Sequence, residues 1–445
     1  MTKEVYRNIV EYLRLITDKT EFEFRVFTVG GCCRDCMMNR EIKDIDLVVD
    51  MPNGGIEFAK WLHKNGYLTR EPVVYEHFGT AMFHLKEFPN IELEAVQTRK
   101  ESYRNMETRN PETAFGTIND DCTRRDFTYN AIYQNVTHGG FCDYNGNSFK
   151  DLEANILRTC GDPDVIFNED PLRILRAVRF KSRFGSTIEE NTFEGMKRYV
   201  DRLSIISRER IHDEFMKMCN EDSCEQTCDA LFTLWDIGAF KYILPSLHGL
   251  SHKEVFFFVD RLRETLFAKH VVGLTKEGLF ATMLFKSETA EEELRELKCN
   301  NEFINEVMFL INTNKEFEKR LGEELDSDCE ASETLFREYA NVCGNRKRML
   351  NMIWCGDKLG LINYYCDYDD YGDCFFDELC AKEKKFFTYE LPVNGDDVME
   401  ELGIGPSRKV GEVLDELWKF VFANPDKDSR EELLKYLKYV KSKEI

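Results

Sequence analysis

The pattern of apolar and polar positions changes once along the chain, near Pro171. Between residues 24 and 160, short apolar runs of strand length alternate with amphipathic helical segments. After Pro171, apolar residues recur every three or four positions to the C-terminus, as they do in packed helices. We therefore predict an α+β protein, in which an N-terminal head with a small mixed β-sheet is followed by an all-helical neck, body and tail.

The same pattern places individual elements and domains. Strands are predicted at "FRVFTV", "IDLVVD", "TAMFHL", "IELEAV" and "FTYNAIYQN", and helices at 32–38 and 55–65. The predicted domains are a catalytic head at residues 1–150, a neck at 151–220, a body at 221–380 and a tail at 381–445.

Composition favours a folded protein of the cell interior. The 445 residues are 42% hydrophobic, which is enough for several packed cores. No apolar run reaches the roughly 20 residues of a membrane span, so we expect no membrane association. The start lacks the apolar core of a signal peptide, and the 16 cysteines are expected to be reduced thiols. These features predict a cytoplasmic protein.

The net charge of −22 argues at first against a nucleic-acid partner. The charge is uneven, however: residues 1–220 carry −5 and residues 221–445 carry −17. Residues 173–210 contain ten basic and five acidic side chains. Because exposed charges act over about 8–10 Å, this basic strip could contact a polyanion. An ordinary solvated surface is the alternative.

Two aspartates of the segment "DIDLVV" share one face of a predicted strand. Side chains alternate along a strand, so Asp44 and Asp46 lie about 7 Å apart on the same side. Two like charges at this separation repel each other, and a bound Mg²⁺ would remove the repulsion. The alternative is an acidic edge strand that faces solvent.

Two further features favour a catalytic role for this aspartate pair. Gly30 and Gly31 follow a strand and precede a helix, where backbone N–H groups can bind phosphate, and Arg34 follows in the first helical turn. Downstream, either Glu92 or Glu94 could complete a site with three carboxylates. A simple glycine turn is the alternative, but together these features indicate nucleotidyl transfer.

Several motifs occur in order over residues 30–215: "GGCCRD", "DIDLVVD", "ELEAVQTRKESY", "DDCTRRDFTYNA", "DYNGNSFKDLEANILR", "EDPLRILRAVRF" and "ISRERIHDEF". The chain resembles the class II tRNA nucleotidyltransferases, a family that comprises CCA-adding enzymes and bacterial poly(A) polymerases. The segment "LPVNGDDVMEELGIGPSRKVG" resembles the C-terminal region of the same family. No motif is recognised within residues 220–380.

The resemblance implies roles for individual residues. Asp44 and Asp46 would bind the catalytic Mg²⁺, and Glu94 would be the third carboxylate, with Glu92 as the fallback. The residues expected to contact the incoming nucleotide in the head are Gly30, Gly31, Arg34 and Arg125, with Asp126 and Asn130 nearby. A structural ion pair between Arg124 and Asp126 is the alternative for that segment.

In "EDPLRILRAVRF", Asp170 and Arg173 would be neighbours on a helix and would offer acceptor and donor groups to the edge of a base. The resemblance implies that this pair accepts CTP or ATP and rejects UTP and GTP. Arg176 and Arg179 would extend the strip toward phosphate or support the pair. An ordinary helix with surface arginines is the alternative.

The resemblance therefore implies addition of C and A nucleotides to tRNA 3′ ends, with CTP and ATP as substrates and Mg²⁺ as cofactor. Residues 101–120 match a loop that is associated with the switch from C to A addition, or form a plain connector. A poly(A) polymerase and an enzyme that adds only CC or only A share all of these motifs. A noncatalytic RNA-binding descendant is disfavoured because the motif residues are present.

Overall fold

The computed structural model describes two compact units. It covers residues 1–76, 79–102, 112–219, 224–255, 259, 275–324, 342–343, 391–424 and 427–443. Unit 1 comprises Met1–Glu214 and Ile237–Ala239, and unit 2 comprises Phe215–Asp236 and Phe240–Ile445.

A seven-stranded mixed sheet lies at the centre of unit 1. Its strands are β1 (Val26–Val29), β2 (Ile45–Val49), β3 (Val73–Tyr75), β4 (Thr80–His84), β5 (Glu92–Gln97), β8 (Ile132–Asn135) and β9 (Phe141–Asp143). Two further strands, β6 (Arg99–Ser102) and β7 (Glu112–Phe115), form a separate antiparallel pair. The order in the main sheet is β3-β4-β5-β2-β1-β8-β9, and β2 with β5 is its one parallel pairing.

One face of the sheet packs against three helices: α1 (Lys3–Thr17), α2 (Gly31–Met37) and α3 (Gly54–Lys64). Ile45, Leu47 and Val49 point to this face because side chains alternate along β2. Helix α3 approaches β5 so closely that a Cβ atom at Gly55 would lie 2.3 Å from the carbonyl oxygen of Ala95. Only glycine fits there, because a Cβ atom would collide with the backbone of β5, which cannot move aside as a flexible side chain could.

The opposite face carries a smaller core. Phe27, Val29, Val48 and Tyr133 pack there with Cys122 of α4 (Ile118–Thr123). The side chains of Asp46 and Glu94 belong to this second face, since they alternate with the buried residues of the first.

The remainder of unit 1 is mainly helical. Its helices are α5 (Ser148–Glu153), α6 (Pro163–Glu169), α7 (Leu172–Phe184), α8 (Glu190–Tyr199) and the start of α9 (Arg208–Met218). Two short strands, β10 (Ile156–Leu157) and β11 (Thr187–Ile188), form a parallel pair. The second of these is an exception to the helical pattern predicted after Pro171.

The described elements of unit 2 are all helices. They are α10 (Cys224–Asp236), α11 (Phe240–Ile243), α12 (Lys276–Leu284), α13 (Ala290–Glu296), α14 (Asn301–Glu324), α15 (Gly395–Leu402), α16 (Arg408–Ala423) and α17 (Arg430–Lys443). The last three share a core built on Val398, Leu417, Leu433 and Leu437. In the part of the chain that the structure describes, no helix is both long and apolar enough to cross a membrane.

The predicted α+β class and the small mixed sheet in the head are confirmed. The predicted strand "FTYNAIYQN" is shorter than expected, because Thr128–Asn130 forms a 3-10 turn and only Ile132–Asn135 joins the sheet. The predicted boundaries of the four domains stay predictions.

Candidate active site

The turn between β1 and α2 is built on Gly30. Its backbone φ is +79°, a conformation that favours glycine, and its N–H donates to the carbonyl of Ile132 at 3.1 Å. A Cβ atom at Gly30 would lie 3.6 Å from Nη1 of Arg125, and one at Gly31 would lie 3.7 Å from Nη2 of Arg34. The two glycines therefore lie beside two guanidinium groups, an arrangement suited to phosphate.

Asp46 and Glu94 lie directly opposite each other on the parallel strands β2 and β5. Val29 is the partner of Asp46 on the other side, so the carboxylates lie next to the strand end that leads into Gly30. Asp46 keeps solvent-exposed surface, yet the protein around it and the charge of Glu94 raise its pKa to about 6, against the opposing effect of Arg125. The negative charges of Asp46 and Glu94 are therefore not fully balanced by the positive charge of Arg125.

A divalent cation fits the donors at this place. Asp46 and Glu94 offer carboxylate oxygens, which Mg²⁺ prefers, and a cation would offset the repulsion that raises the pKa of Asp46. Asp44 is exposed and lies one residue before β2, while Glu92 lies opposite His84 of β4. Within the described ranges, no three His, Cys, Asp or Glu side chains are already grouped closely enough to hold a metal ion. The metal-binding roles of the carboxylates therefore stay predictions.

Arg125 is held beside the glycine turn by two partners that the sequence reasoning missed. Its Nε and Nη2 donate to Oδ2 of Asp121 at 3.2 and 3.0 Å, and its Nε donates to Oη of Tyr133 at 3.0 Å. Burial alone would raise the pKa of Asp121, but Arg125 and Arg124 lower it to about 2. The i,i+3 and i,i+4 spacing within "DDCTRRD" was the available signal for Asp121.

Arg34 does not point freely toward solvent. It is 4% exposed, its Nε donates to Asp35 at 2.8 Å, and its Nη1 donates to Oδ1 of Asn130. Asn130 in turn donates from Nδ2 to Asp126 at 3.2 Å, and Asp126 accepts from Nε and Nη2 of Arg176 at 3.0 and 2.6 Å. A continuous chain of hydrogen bonds therefore runs from the glycine turn to helix α7.

The charge of Asp126 is fixed within this chain. Burial would raise its pKa, but the charge and hydrogen bonds of Arg176, with hydrogen bonds from Asn130 and the Phe127 N–H, lower it to about 2. The alternative of an ion pair between Arg124 and Asp126 is wrong. Arg124 pairs with Asp121 instead, because α4 places these two residues one turn apart.

Asp170 and Arg173 do not share a helix. Asp170 caps the end of α6 in an extended conformation and Pro171 precedes α7, since a residue before proline avoids the helical region. Asp170 accepts from Nη2 of Arg210 at 3.0 Å, whereas Arg173 donates to the carbonyls of Ile166 at 3.2 Å and Arg124 at 2.8 Å. The pair is close in sequence, and each side chain has its own protein partners.

Arg179 also has a protein partner, since its Nε donates to Glu214 at 2.7 Å. Its guanidinium lies 4.3 Å from the ring centre of Phe180, and that of Arg34 lies 4.6 Å from the ring centre of Phe184. The first contact lies within α7, and the second cation–π contact joins α2 to α7. The expected phosphate contacts of Arg34, Arg176 and Arg179 stay predictions.

The segment predicted as a loop at 101–120 is in part ordered structure. Strands β6 and β7 pair from Arg99 opposite Phe115 to Ser102 opposite Glu112, and α4 follows. Residues 103–111, at the centre of the predicted switching loop, lie outside the described residues.

The mixed sheet, the paired carboxylates and the glycine turn lie in a region that also matches a known family model. A family model described as "Poly A polymerase head domain" matches residues 26–158, and one described as "Probable RNA and SrmB- binding site of polymerase A" matches residues 185–250. Residues 26–158 and 185–250 therefore match the two domains that these models describe.

Individual relatives differ in how much of the chain they match. The CCA-adding enzyme of Staphylococcus saprophyticus is 33% identical over 53% of this chain, and the alignment spans 56% of that enzyme. The tRNA nucleotidyltransferase cca2 of Schizosaccharomyces pombe is 24% identical over 98% of both chains. Poly(A) polymerases are also among the curated relatives.

Solved structures resemble the chain at low sequence identity. The solved structure of the Thermotoga maritima CCA-adding enzyme complexed with tRNA has a TM-score of 0.63 and 21% identity, and it covers 98% of this chain and 94% of that one.

Proposed function

We propose that the chain adds C and A nucleotides from CTP and ATP to the 3′ end of tRNA, to complete CCA. The observation that carries the proposal is the pairing of Asp46 with Glu94 beside the Gly30 turn and Arg125. Carboxylates next to a cationic glycine turn suit the transfer of a nucleotidyl group from a triphosphate.

The reaction is attack of the tRNA 3′-hydroxyl oxygen on the α-phosphorus. The bond from the α-phosphorus to the bridging oxygen breaks, pyrophosphate leaves with the electron pair, and the proton of the hydroxyl passes to solvent. Mg²⁺ held by Asp44, Asp46 and Glu94 would activate the hydroxyl and offset charge on the phosphates.

The chain's own groups would bind the triphosphate. The backbone N–H groups after Gly30 would donate to the phosphates. Nη1 of Arg125 lies beside the turn without a hydrogen-bond partner among the described residues. Asp121 and Tyr133 hold the other nitrogens of Arg125, so its direction is set before the nucleotide binds.

Nucleotide choice is assigned to Asp170 and Arg173. A carboxylate and a guanidinium present acceptor and donor groups to the edge of a base. Arg173 is fixed by the carbonyls of Ile166 and Arg124, and Asp170 is held by Arg210. An incoming base would therefore compete with Arg210 for Asp170.

The RNA would extend along the helical part of the chain, in the predicted neck, body and tail. A second candidate is a poly(A) polymerase, which is favoured by the description of the matching head and by the curated poly(A) polymerases. CCA addition is preferred because a relative aligned over 98% of the chain is named a tRNA nucleotidyltransferase. An enzyme that adds only CC or only A has the same predicted site.

The test is incubation of the protein with Mg²⁺ and tRNA transcripts that end before CCA, after CC and after CCA. Each nucleoside triphosphate is supplied singly and together, and the 3′ ends are sequenced. Addition that completes CCA and then stops is expected, with no addition by Asp46→Ala and normal addition by the control Asp164→Ala, an exposed residue paired with Arg198.

Long A tails would instead assign the chain as a poly(A) polymerase. Addition of CC only, or of A only, would assign a partial activity. No addition by the wild type, under conditions in which a known enzyme works, would refute catalysis and favour a noncatalytic RNA-binding role.

A further inference from the structure

The face of the sheet that carries the carboxylates continues past Glu94 to the sheet edge. Met82 of β4 is the partner of Glu94, and Val73 of β3 is the partner of Met82. Directly opposed residues in a sheet have their side chains on the same face. The row Val73, Met82, Glu94 and Asp46 therefore crosses four neighbouring strands on one side.

The outer part of this face carries three apolar side chains that are at least partly exposed, beside Thr80 and His84 of the same strand face. Val73 is 49% exposed and Tyr75 is 45% exposed, and Met82 is half-buried. Their neighbours Val74, Ala81 and Phe83 point the other way and pack in the main core. We call Val73, Tyr75 and Met82 the β3–β4 platform. Exposed apolar side chains grouped beside charged catalytic candidates are typical of a binding surface.

This inference rests on the proposed reaction, whose geometry determines which substrate lies over the β3–β4 platform. In an in-line displacement the attacking oxygen and the leaving pyrophosphate lie on opposite sides of the phosphorus. Gly30 and Arg125, which would bind the triphosphate, lie on the β1 and β8 side of Asp46. The hydroxyl of the RNA must therefore arrive from the side of Glu94, which is the side of the platform.

Distance and polarity agree with this direction. Neighbouring strands are about 5 Å apart, so the platform begins about 10 Å from the strand of Asp46 and ends about 15 Å from it. The nucleotides that directly precede the reactive 3′ end would lie over this span. The platform itself is uncharged, and an aromatic ring and aliphatic side chains suit the flat faces of unpaired bases.

We propose that the β3–β4 platform binds the unpaired bases next to the 3′ end of the RNA primer, with Tyr75 as the stacking residue. The platform contributes to binding of the RNA and not of the incoming nucleotide. It therefore affects the positioning of the hydroxyl before each addition.

Steady-state kinetics of single-nucleotide addition test the proposal. Tyr75→Ala is expected to raise the KM for the primer about 5- to 100-fold, since loss of one aromatic stack has an effect of this size. The KM for CTP should change less than twofold, and Tyr75→Phe should restore the primer KM. Leu15→Ala is the matched control, because Leu15 is 64% exposed on α1, which packs on the opposite face.

A cross-linking experiment gives a readout that does not need activity. A primer with a photoreactive base one position before its 3′ end is irradiated with the full-length protein, and the attached peptide is identified. Attachment within residues 73–82 supports the proposal, even if the wild type adds no nucleotide and the proposed function fails. Attachment elsewhere overturns it, as does an unchanged primer KM in an active Tyr75→Ala protein. A shift in oligomeric state of Tyr75→Ala with no change in primer KM would assign the platform to a second copy and also overturn it.

Discussion

Asp126 offers a quantitative test of the hydrogen-bond chain that joins the head to helix α7. Its carboxylate is 9% exposed and is held by Arg176, Asn130 and the Phe127 N–H. We predict that Asp126→Asn lowers the free energy of unfolding of unit 1. The reason is that Arg176, whose side chain is 34% exposed, then loses its counter-charge.

The size of the effect follows from the pKa of Asp126. A pKa lowered from 3.8 to about 2 corresponds to roughly 2.5 kcal/mol of stabilisation at neutral pH. Removal of one member of a buried pair costs about 3–5 kcal/mol in other proteins, so a loss of about 2–4 kcal/mol is expected. A group whose pKa is lowered on folding stabilises above its unfolded pKa. The difference between wild type and Asp126→Asn should therefore persist from pH 7 to about pH 4 and shrink as the pH falls toward 2.

The assay is urea unfolding of the full chain, followed by hydrogen exchange and mass spectrometry of peptides from α4 and α7. This readout separates unit 1 from unit 2. Asp164→Asn is the matched control, because Asp164 and Arg198 form a pair with the same 2.6 Å contact but are both about half exposed. No measurable change is expected in the control, since exposed ion pairs contribute little.

Equal stability losses in Asp126→Asn and Asp164→Asn would refute the reasoning, because burial would then make no difference. A loss in Asp126→Asn that stays the same from pH 7 down to pH 3 would also refute it, since the effect would not come from the charge.

Three further outcomes are expected. Without divalent metal, Asp46→Asn should stabilise unit 1 by on the order of 1 kcal/mol at pH 7.5, because a raised pKa makes the ionised carboxylate unfavourable in the folded state. This value is reduced for the solvent exposure of Asp46. The gain should vanish in urea unfolding near pH 4, and Mg²⁺ should stabilise only the wild type; a variant less stable than wild type at pH 7.5 would contradict this. Gly30→Ala should lower stability by about 1–3 kcal/mol and also lower kcat/KM for CTP. Gly139 has φ +70° and open surroundings, so Gly139→Ala should lower stability alone. Equal kcat/KM values in the two variants would contradict the role of the turn. Asp170→Asn should reduce the preference for CTP over UTP at least tenfold in competition assays, because an amide N–H donor then replaces one of the two carboxylate acceptors. An unchanged preference would remove Asp170 from base selection.

The sequence predicts which side chains share a face of a strand, but it says less about which residues pair with each other in the folded protein. Alternation along each strand predicts that Asp46 shares a face with Asp44, and that Glu94 shares one with Glu92. The register that places Asp46 opposite Glu94 depends on β2 pairing in parallel with β5, which no local pattern in either strand determines.

Partners that are distant in the chain were the main source of error. The pairing of Asp126 with Arg176 spans 50 positions, so the sequence offered only the nearby Arg124 as an alternative partner, and that alternative is wrong. The proline after Asp170 was a signal for the break between α6 and α7, which separates Asp170 from the helix of Arg173. Asp121 could have been found from its helical spacing to both arginines.

The most direct test of the account compares the rate of a single CMP addition to a tRNA transcript without CCA, measured under single-turnover conditions. The variants are Asp46→Asn, Glu94→Gln and the matched control Glu92→Gln, which lies on the same face of the same strand but opposite His84. We expect Asp46→Asn and Glu94→Gln to lose at least about 100-fold in rate, while Glu92→Gln stays within about fivefold of the wild type. A full rate in Glu94→Gln, or an equal loss in Glu92→Gln, would contradict the assignment of the paired carboxylates as the catalytic centre.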